Sequence, residues 1–302
     1  MSRPPLAHRL AALAAILLAA VASSPTVARA TDEPPAKPPF VFTGIPDQDE
    51  SRLVERFGKV ATYLEARLGL PVRYIPVKSY PAAVTAFTNG QVQLAWFGGF
   101  TGVQARRAVP GSQAIAQGAE DAAFRTYLIA NARTGLEKSH DFPAGIAGRT
   151  FSFGSRASTS GRLMPDFFIR RAFPGKTPEE IFSRVGFSGD HSRTIQLVQS
   201  GAFEIGAVDY AVWDLDTRAG KVDAKAVRVI WESPPFPDYQ WTLRGGMDET
   251  YGAGFTDRLR QALLDITDPA ILEPFGRTKF VPVRNEAYDP LIAAARATGL
   301  LD

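Results

Sequence analysis

Three consecutive hydroxyl side chains, Ser158, Thr159 and Ser160, are the strongest candidates for chemistry in this 302-residue sequence. They follow an apolar stretch, Thr150–Phe153, that predicts a buried strand, and they precede an apolar pattern typical of a helix. The first turn of a helix has backbone N–H groups without partners and a partial positive charge. Hydroxyls at that position add donors, so the run suits a small oxyanion. Serine and threonine are also the usual helix caps, and a purely structural cap is the alternative.

Other polar and aromatic residues stand at matching places, at or just past the ends of predicted strands. They are Asp47, Tyr80, Phe97, His191, Asp209 and Tyr210. Because ligands of parallel α/β sheets bind beyond the carboxyl ends of the strands, we expect these side chains to gather around one site. Each also has an ordinary interpretation. A lone histidine is more often structural, Asp209 could be a helix cap, and the aromatic residues could belong to the core.

The order of the predicted strands and helices that position these residues indicates two α/β units. Residues 40–107 alternate strand and helix three times, which is typical of a parallel sheet. A second strand–helix alternation begins at Thr150, between Gly- and Pro-spaced stretches at 135–148 and 234–237 that we interpret as crossings. The prediction is a first lobe of residues 40–133 plus 240–302, with a second lobe of residues 134–239 inserted into it.

The first 30 residues predict a cleavable signal peptide, with a basic start, an apolar run and an A-x-A site ending at Ala30. The proline-rich residues 31–39 predict a disordered tether. The leader holds three of the 34 Lys and Arg residues and no acidic residue, so the mature chain has 31 basic and 31 acidic residues. This balance of charge does not resemble that of a nucleic-acid-binding protein. We expect an exported protein, most simply periplasmic.

Composition narrows the chemistry further. The chain has no cysteine, which excludes disulfides, thiolate metal sites and thiol catalysis, and three histidines do not favour a metal centre. We therefore expect no cofactor. The sequence contains the residue types of a hydrolytic triad in His191, Asp209 and several serines. It lacks the G-x-S-x-G motif that positions the nucleophile in α/β-hydrolases. An exported enzyme acting on phosphate esters through His191 and Asp209 is the alternative to a binding protein, and a sensor domain is a third possibility.

Several motifs resemble the periplasmic binding proteins of phosphonate, phosphite and related oxyanion ABC importers. They are the YPAAV stretch at 80–84, GQVQLAWFG at 90–98, Phe153-Gly154-Ser155 with Ser158-Thr159-Ser160-Gly161, and Gly186-Phe187-Ser188 with His191. Within that family the chain is most similar to a branch presumed to import selenate. The matches to that branch include WFGG at 96–99, SGRLMP at 160–165 and Asp238-Tyr239.

The resemblance implies a type II periplasmic binding protein fold, in which two α/β lobes close about a hinge over a ligand cleft. Ser158, Thr159 and Ser160 would hold the anion, with Ser155 in the same motif and with Tyr80 and His191 as further donors. The ligand would be phosphonate, phosphite, a phosphate-like ion or selenate. Partners would be an inner-membrane permease and its ATPase, and we expect a monomer.

Overall fold

Two β-sheets organise residues 37–302, the part of the chain that the computed structural model describes. The predicted leader and residues 31–36 of the predicted tether lie outside the described residues. The strands are β1 Phe40–Gly44, β2 Val72–Tyr74, β3 Leu94–Phe97, β4 Gln113–Gly118, β5 Thr126–Asn131, β6 Thr150–Phe153, β7 Arg184–Phe187, β8 Ile205–Asp209, β9 Val227–Glu232, β10 Gln240–Leu243 and β11 Phe280–Val281.

Helices connect most of these strands. They are α1 Glu50–Leu68, α2 Tyr80–Thr88, α3 Gly99–Ala108, α4 Met164–Ala172, α5 Pro178–Ile181, α6 His191–Gln199, α7 Tyr210–Arg218, α8 Met247–Tyr251, α9 Phe255–Leu264, α10 Pro269–Leu272 and α11 Asp289–Thr298. A short π-helical turn, Thr159–Leu163, runs directly into α4. Among the described residues, no helix is both long and apolar enough to cross a membrane.

The first sheet has the strand order β11-β4-β10-β3-β1-β2. Strand β1 pairs in parallel with both β2 and β3, which confirms the parallel pairing predicted for the first three strands. Strand β10 returns much later in the chain and inserts antiparallel between β3 and β4. The first sheet is therefore built from both ends of the described chain, with the second sheet inserted between them.

The second sheet has the order β7-β6-β8-β5-β9, and here one expectation was wrong. The sequence placed the strand near residues 124–130 with the first unit, but β5 pairs antiparallel with β8 and β9 of the second sheet. The chain crosses earlier than predicted, through a short helical turn at Ala119–Ala123. The Gly- and Pro-spaced stretch at 135–148 instead connects β5 to β6 within the second sheet.

The two crossings between the sheets run side by side. The N–H of Phe124 donates to the carbonyl of Phe236 at 2.8 Å, and the reverse bond measures 2.9 Å. The N–H of Asp238 donates to the carbonyl of Asp121 at 3.0 Å. The crossings therefore form a narrow antiparallel ladder, and the second one lies where the sequence predicted it.

Local sequence explains why the helices form where they do. In α1, Leu53, Phe57, Val60 and Leu64 fall on one buried face, as the helical spacing predicts. Gly69 ends the helix with a φ of 65°, a left-handed conformation that glycine adopts without steric cost. These local signals fix the strand-to-helix turns, and the candidate site residues lie at those turns.

Candidate functional site

The three hydroxyls of the run differ in their contacts. Ser158 Oγ accepts a hydrogen bond from the N–H of Gly161 at 2.9 Å, which confirms that it is a helix cap. Thr159 Oγ1 accepts from the N–H of Phe100 at 3.0 Å, and so links the π-helical turn to α3 on the first sheet. Ser160 Oγ is buried and has no hydrogen-bond partner within residues 37–302. Ser160 is thus the one hydroxyl of the run that makes no hydrogen bond within residues 37–302, whereas the hydroxyl of Ser158 accepts one and can still donate its proton.

His191 begins α6 and is fully buried beside the hydroxyl run. Its Nδ1 accepts from the N–H of Asp209 at 3.3 Å, so the proton of the neutral imidazole belongs on Nε2. A methyl group added at Gly161 would lie 3.0 Å from His191 Cε1 and 3.0 Å from Ser158 Oγ. The ring therefore lies directly against the turn. Nε2 has no hydrogen-bond partner in the described part of the chain and can act as a donor.

Asp209 caps α7, as the structural alternative predicted. Its Oδ1 accepts from the N–H of Val212 at 2.5 Å, and its Oδ2 accepts from the hydroxyl of Tyr239 at 2.9 Å. The same Oδ2 lies 3.4 Å from His191 Nε2. Both carboxylate oxygens thus face protein donors, and Asp209 fixes the positions of Tyr239 and His191.

Asp47 and Tyr80 lie after strands of the first sheet. Asp47 Oδ1 forms a buried ion pair with Arg56 Nη2 at 2.8 Å, and its carbonyl accepts from the N–H of His191 at 3.2 Å. Tyr80 is fully buried, and its hydroxyl has no hydrogen-bond partner among the residues described. Burial, and then the nearby carboxylates of Asp47 and Asp209, raise the pKa of Tyr80 well above its usual value. The hydroxyl therefore stays protonated and can donate.

Asp238 also belongs to this region, although the sequence indicated it only as part of a motif. Its Oδ1 accepts from the N–H of Gly99 at 2.8 Å. A methyl group at Gly98 would lie 3.2 Å from both Asp238 Oδ1 and Thr159 Oγ1. Burial raises the pKa of Asp238 to about 7, although hydrogen bonds from Thr159 and Gly99 oppose the shift. A carboxylate in a proline-rich crossing was the signal that could have identified it.

The remaining predicted site residues have other surroundings. Phe97 packs edge-on against Phe87 in the core, with ring centroids 5.5 Å apart. Tyr210 packs against Phe124 with a centroid distance of 4.7 Å. Ser155 precedes the hydroxyl run and lines an open groove at the edge of the two sheets. Aromatic packing therefore accounts for the positions of Phe97 and Tyr210.

Four candidate ligand-binding residues each have a buried polar atom that lacks a hydrogen-bond partner within residues 37–302, namely Tyr80 OH, Ser160 Oγ, His191 Nε2 and Asp238 Oδ2. Buried polar groups are normally paired, so such a group of atoms is a candidate binding site. Three of them can donate a hydrogen bond, and the carboxyl of Asp238 can hold a proton near neutral pH. This set of donors suits an anion with several oxygens. The described residues contain no cluster of three or more potential metal ligands.

Residues 42–288 match the family model described as the periplasmic substrate-binding protein of a phosphonate ABC transporter. The chain belongs to this family. It is 35% identical over 257 residues to the probable ABC transporter phosphite binding protein PhnD1 of Prochlorococcus marinus strain MIT 9301, which covers 81% of this chain and 84% of that relative. It is 23% identical over 234 residues to the phosphonates-binding periplasmic protein of Escherichia coli K12, with 74% and 68% of the two chains covered.

A solved structure of PhnD1 from Prochlorococcus marinus (MIT 9301) in complex with methylphosphonate shares the fold. It matches with a TM-score of 0.82 and 33% identity, over 86% of this chain and 98% of that chain. The predicted family and the predicted mixed α/β fold with two lobes are therefore confirmed. Residues 42–288 span both sheets, so family membership applies to the whole fold.

Family membership also decides between the classes of function. Proteins of this family are the periplasmic substrate-binding components of ABC importers, which bind a small ligand and work with a permease and an ATPase. The protein is accordingly a binding component and not an enzyme. The alternative of a phosphoester-acting enzyme using His191 and Asp209 has no support. The relatives named above are described by phosphite or phosphonate, so the selenate branch stays a prediction.

Proposed function

We propose that the protein is the periplasmic receptor for a small tetrahedral oxyanion of the phosphite and methylphosphonate type. The single observation that carries the proposal is the group of four unpaired buried atoms on Tyr80, Ser160, His191 and Asp238. Each hydroxyl or imidazole donor can pair with one oxygen of the anion. The helix N-terminus at the hydroxyl run adds backbone N–H groups and positive potential. The relation to PhnD1 supports the same ligand class.

The remaining predicted residues have supporting roles in this proposal. Ser158 and Thr159 shape the turn, and Asp209 acts on the ligand through His191, because its own oxygens already accept from protein donors. Ser155 lies at the open edge, and Asp47 secures His191 through its carbonyl. Phe97 and Tyr210 contribute packing rather than ligand contacts.

The whole receptor would work by closure of two lobes that follow the two sheets. The paired crossings, near residues 119–125 and 233–239, would be the hinge. Closure removes the anion from water, which strengthens every charge-assisted hydrogen bond to it. We further propose that residues 1–30 are a signal peptide cut after Ala30, and that the mature protein acts as a monomer.

A ligand panel tests the proposed function. Phosphite, methylphosphonate, phosphate, selenate and sulfate are each titrated into the purified protein by calorimetry, and thermal unfolding is measured in parallel. A true ligand at a hundredfold its Kd adds about 2.7 kcal/mol of stability, because it binds only the folded state. We expect phosphite or methylphosphonate to bind most tightly. Failure of every ion in the panel to bind would contradict the proposal.

Asp238 should make binding depend on pH. A carboxylate only accepts hydrogen bonds, whereas a protonated carboxyl can donate to a fully deprotonated anion such as selenate. Because burial raises the pKa of Asp238 to about 7, the affinity for selenate should fall as the pH rises through that value. In Asp238→Asn the affinity should change far less with pH. Calorimetry between pH 5.5 and 8.5 measures this, and the same pH slope in both proteins would remove Asp238 from the site.

The pH dependence of the stability of the ligand-free protein tests the raised pKa of Asp238 independently of ligand binding. A buried acid whose pKa is raised stabilises the fold below its unfolded pKa and loses that contribution as the pH rises to its folded pKa. Wild-type stability should therefore decrease between about pH 4 and pH 7 relative to Asp238→Asn. Denaturant titrations of both proteins at several pH values measure the difference.

A further inference from the structure

Two ion pairs join helices of different sheets at one edge of the molecule. Arg52 of α1 contacts Asp216 of α7, with Nη1 and Oδ1 separated by 2.6 Å. Lys221, just after α7, contacts Asp49, just before α1, with Nζ and Oδ2 separated by 2.5 Å. Helix α1 packs on the first sheet, whereas α7 packs on the second. Both pairs therefore require the two sheets to be close together.

The two pairs differ strongly in burial. The side chain of Asp216 is 2% exposed and that of Arg52 is 27% exposed. In the outer pair, Lys221 and Asp49 are 43% and 38% exposed. An exposed ion pair contributes little, whereas a buried carboxylate that loses its cation is left in a poorly solvated position. The inner pair should therefore have the larger effect on the arrangement of the sheets.

Asp216 also contacts the helix that carries a candidate ligand donor. Its second oxygen, Oδ2, accepts from the hydroxyl of Ser192 at 2.9 Å. Ser192 directly follows His191 in the first turn of α6 and is itself buried. The carboxylate of Asp216 thus joins Arg52 on one side of the cleft to the turn that holds His191 on the other.

We propose that Arg52 and Asp216 form a latch that keeps the cleft closed over its ligand and holds the first turn of α6 in its binding position. This rests on the proposed function in one respect, which is that His191 contacts the ligand. When the sheets separate, water can solvate the carboxylate of Asp216, so the charge of Arg52 then stabilises that carboxylate less. The latch therefore stabilises the closed arrangement more than the open one, and a contact of this kind acts mainly on ligand release.

The kinetic test compares Arg52→Met, Asp216→Asn and the double variant, with methylphosphonate or phosphite as ligand. Loss of a charge-assisted contact to a buried carboxylate should speed dissociation by about tenfold or more, with a much smaller change in association. The double variant should be no worse than the worse single variant, because the two residues act together. Arg52→Lys keeps the charge and should restore part of the slow release. Additive effects in the double variant would overturn the latch.

The chain offers matched controls. Arg67 lies on the same helix as Arg52 and pairs with Asp265, the C-cap of α9, but both of these elements pack on the first sheet. Arg67→Met should leave dissociation unchanged. Lys221→Met should change it by less than about threefold, because its pair is exposed. Equal acceleration in Arg52→Met and Arg67→Met would show a general effect of charge and would overturn the proposal.

A second measurement does not depend on the ligand. Because the sequence has no cysteine, Lys176→Cys and Glu249→Cys allow one spin label beside each sheet. The distance between the two labels is then measured in the ligand-free protein. The fraction of molecules with a short distance should be lower in Arg52→Met than in the wild type, and high salt should lower it in the wild type. If no oxyanion binds by calorimetry, the proposed function fails while this measurement still tests the latch. Identical distance distributions in wild type, Arg52→Met and Arg67→Met would overturn it.

Discussion

The double variant Tyr80→Phe/Ser160→Ala should lose at least about a hundredfold in oxyanion affinity and keep its stability, since each hydrogen bond to a charged group contributes roughly 1.5–3 kcal/mol. Neither hydroxyl has a hydrogen-bond partner within residues 37–302. Removing them therefore breaks no bond seen in the protein, and it eliminates two buried polar groups that are costly when unpaired. Calorimetry with methylphosphonate or phosphite, alongside thermal unfolding, measures both effects.

Two control variants make this result specific. Ser158→Ala/Thr159→Ala removes the helix cap and leaves the N–H of Phe100 without its acceptor, so stability should fall together with affinity. Tyr288→Phe removes another buried hydroxyl, one that donates to Gln117, and should lower stability without affecting affinity. Unchanged affinity in Tyr80→Phe/Ser160→Ala would exclude both side chains from the site.

Replacement of Arg277 by methionine should destabilise the protein by about 3–5 kcal/mol, because it leaves a buried carboxylate without its cation. Arg277 Nε and Nη2 contact the two oxygens of Asp121 at 2.9 and 2.6 Å. The guanidinium also lies over the rings of Phe124 and Tyr239, at 5.0 and 5.3 Å from the centroids. All of these partners belong to the two crossings or border them. Denaturant titration at neutral pH measures the loss.

Two features of this result would identify the ion pair as its cause. The double variant Arg277→Met/Asp121→Asn should recover much of the lost stability, because it no longer contains an unpaired buried charge. The deficit of Arg277→Met should also shrink at acid pH. Burial raises the pKa of Asp121, and loss of the opposing Arg277 charge allows the carboxyl to take up a proton more readily. A deficit that is independent of both pH and the second substitution would indicate lost packing instead.

Sequence alone predicted the parts of the fold that depend on neighbouring residues. The strand, cap and helix around Ser158 are specified within a few positions, so the turn and its cap could be identified. The same is true of Asp209, whose side chain caps the helix that it precedes. Strand β5 was assigned to the wrong unit because its partners β8 and β9 lie far along the chain, and local pattern carries no information about that pairing.

The chemistry of the site was predictable only in part for a related reason. Residue type and position suggested that Ser158, Thr159 and Ser160 are equivalent, but Ser158 bonds within its own turn, Thr159 bonds to α3, and Ser160 Oγ has no partner within residues 37–302. The carboxylate of Asp238 takes its position because Gly98 leaves room for it and the N–H of Gly99 donates to it, and both glycines come from a distant part of the chain. Which polar atoms lack a partner is a property of the assembled structure.

The ladder between the two crossings also constrains the mechanics and the evolution of the molecule. Because Phe124 and Phe236 exchange two backbone hydrogen bonds, we expect the connection to resist shear and twist and to bend mainly about one axis. The cleft should then open by rotation of one lobe relative to the other about a single hinge axis. An insertion in one crossing alone would break the register of the pair, so the lengths of the two segments should change together among descendants of this fold.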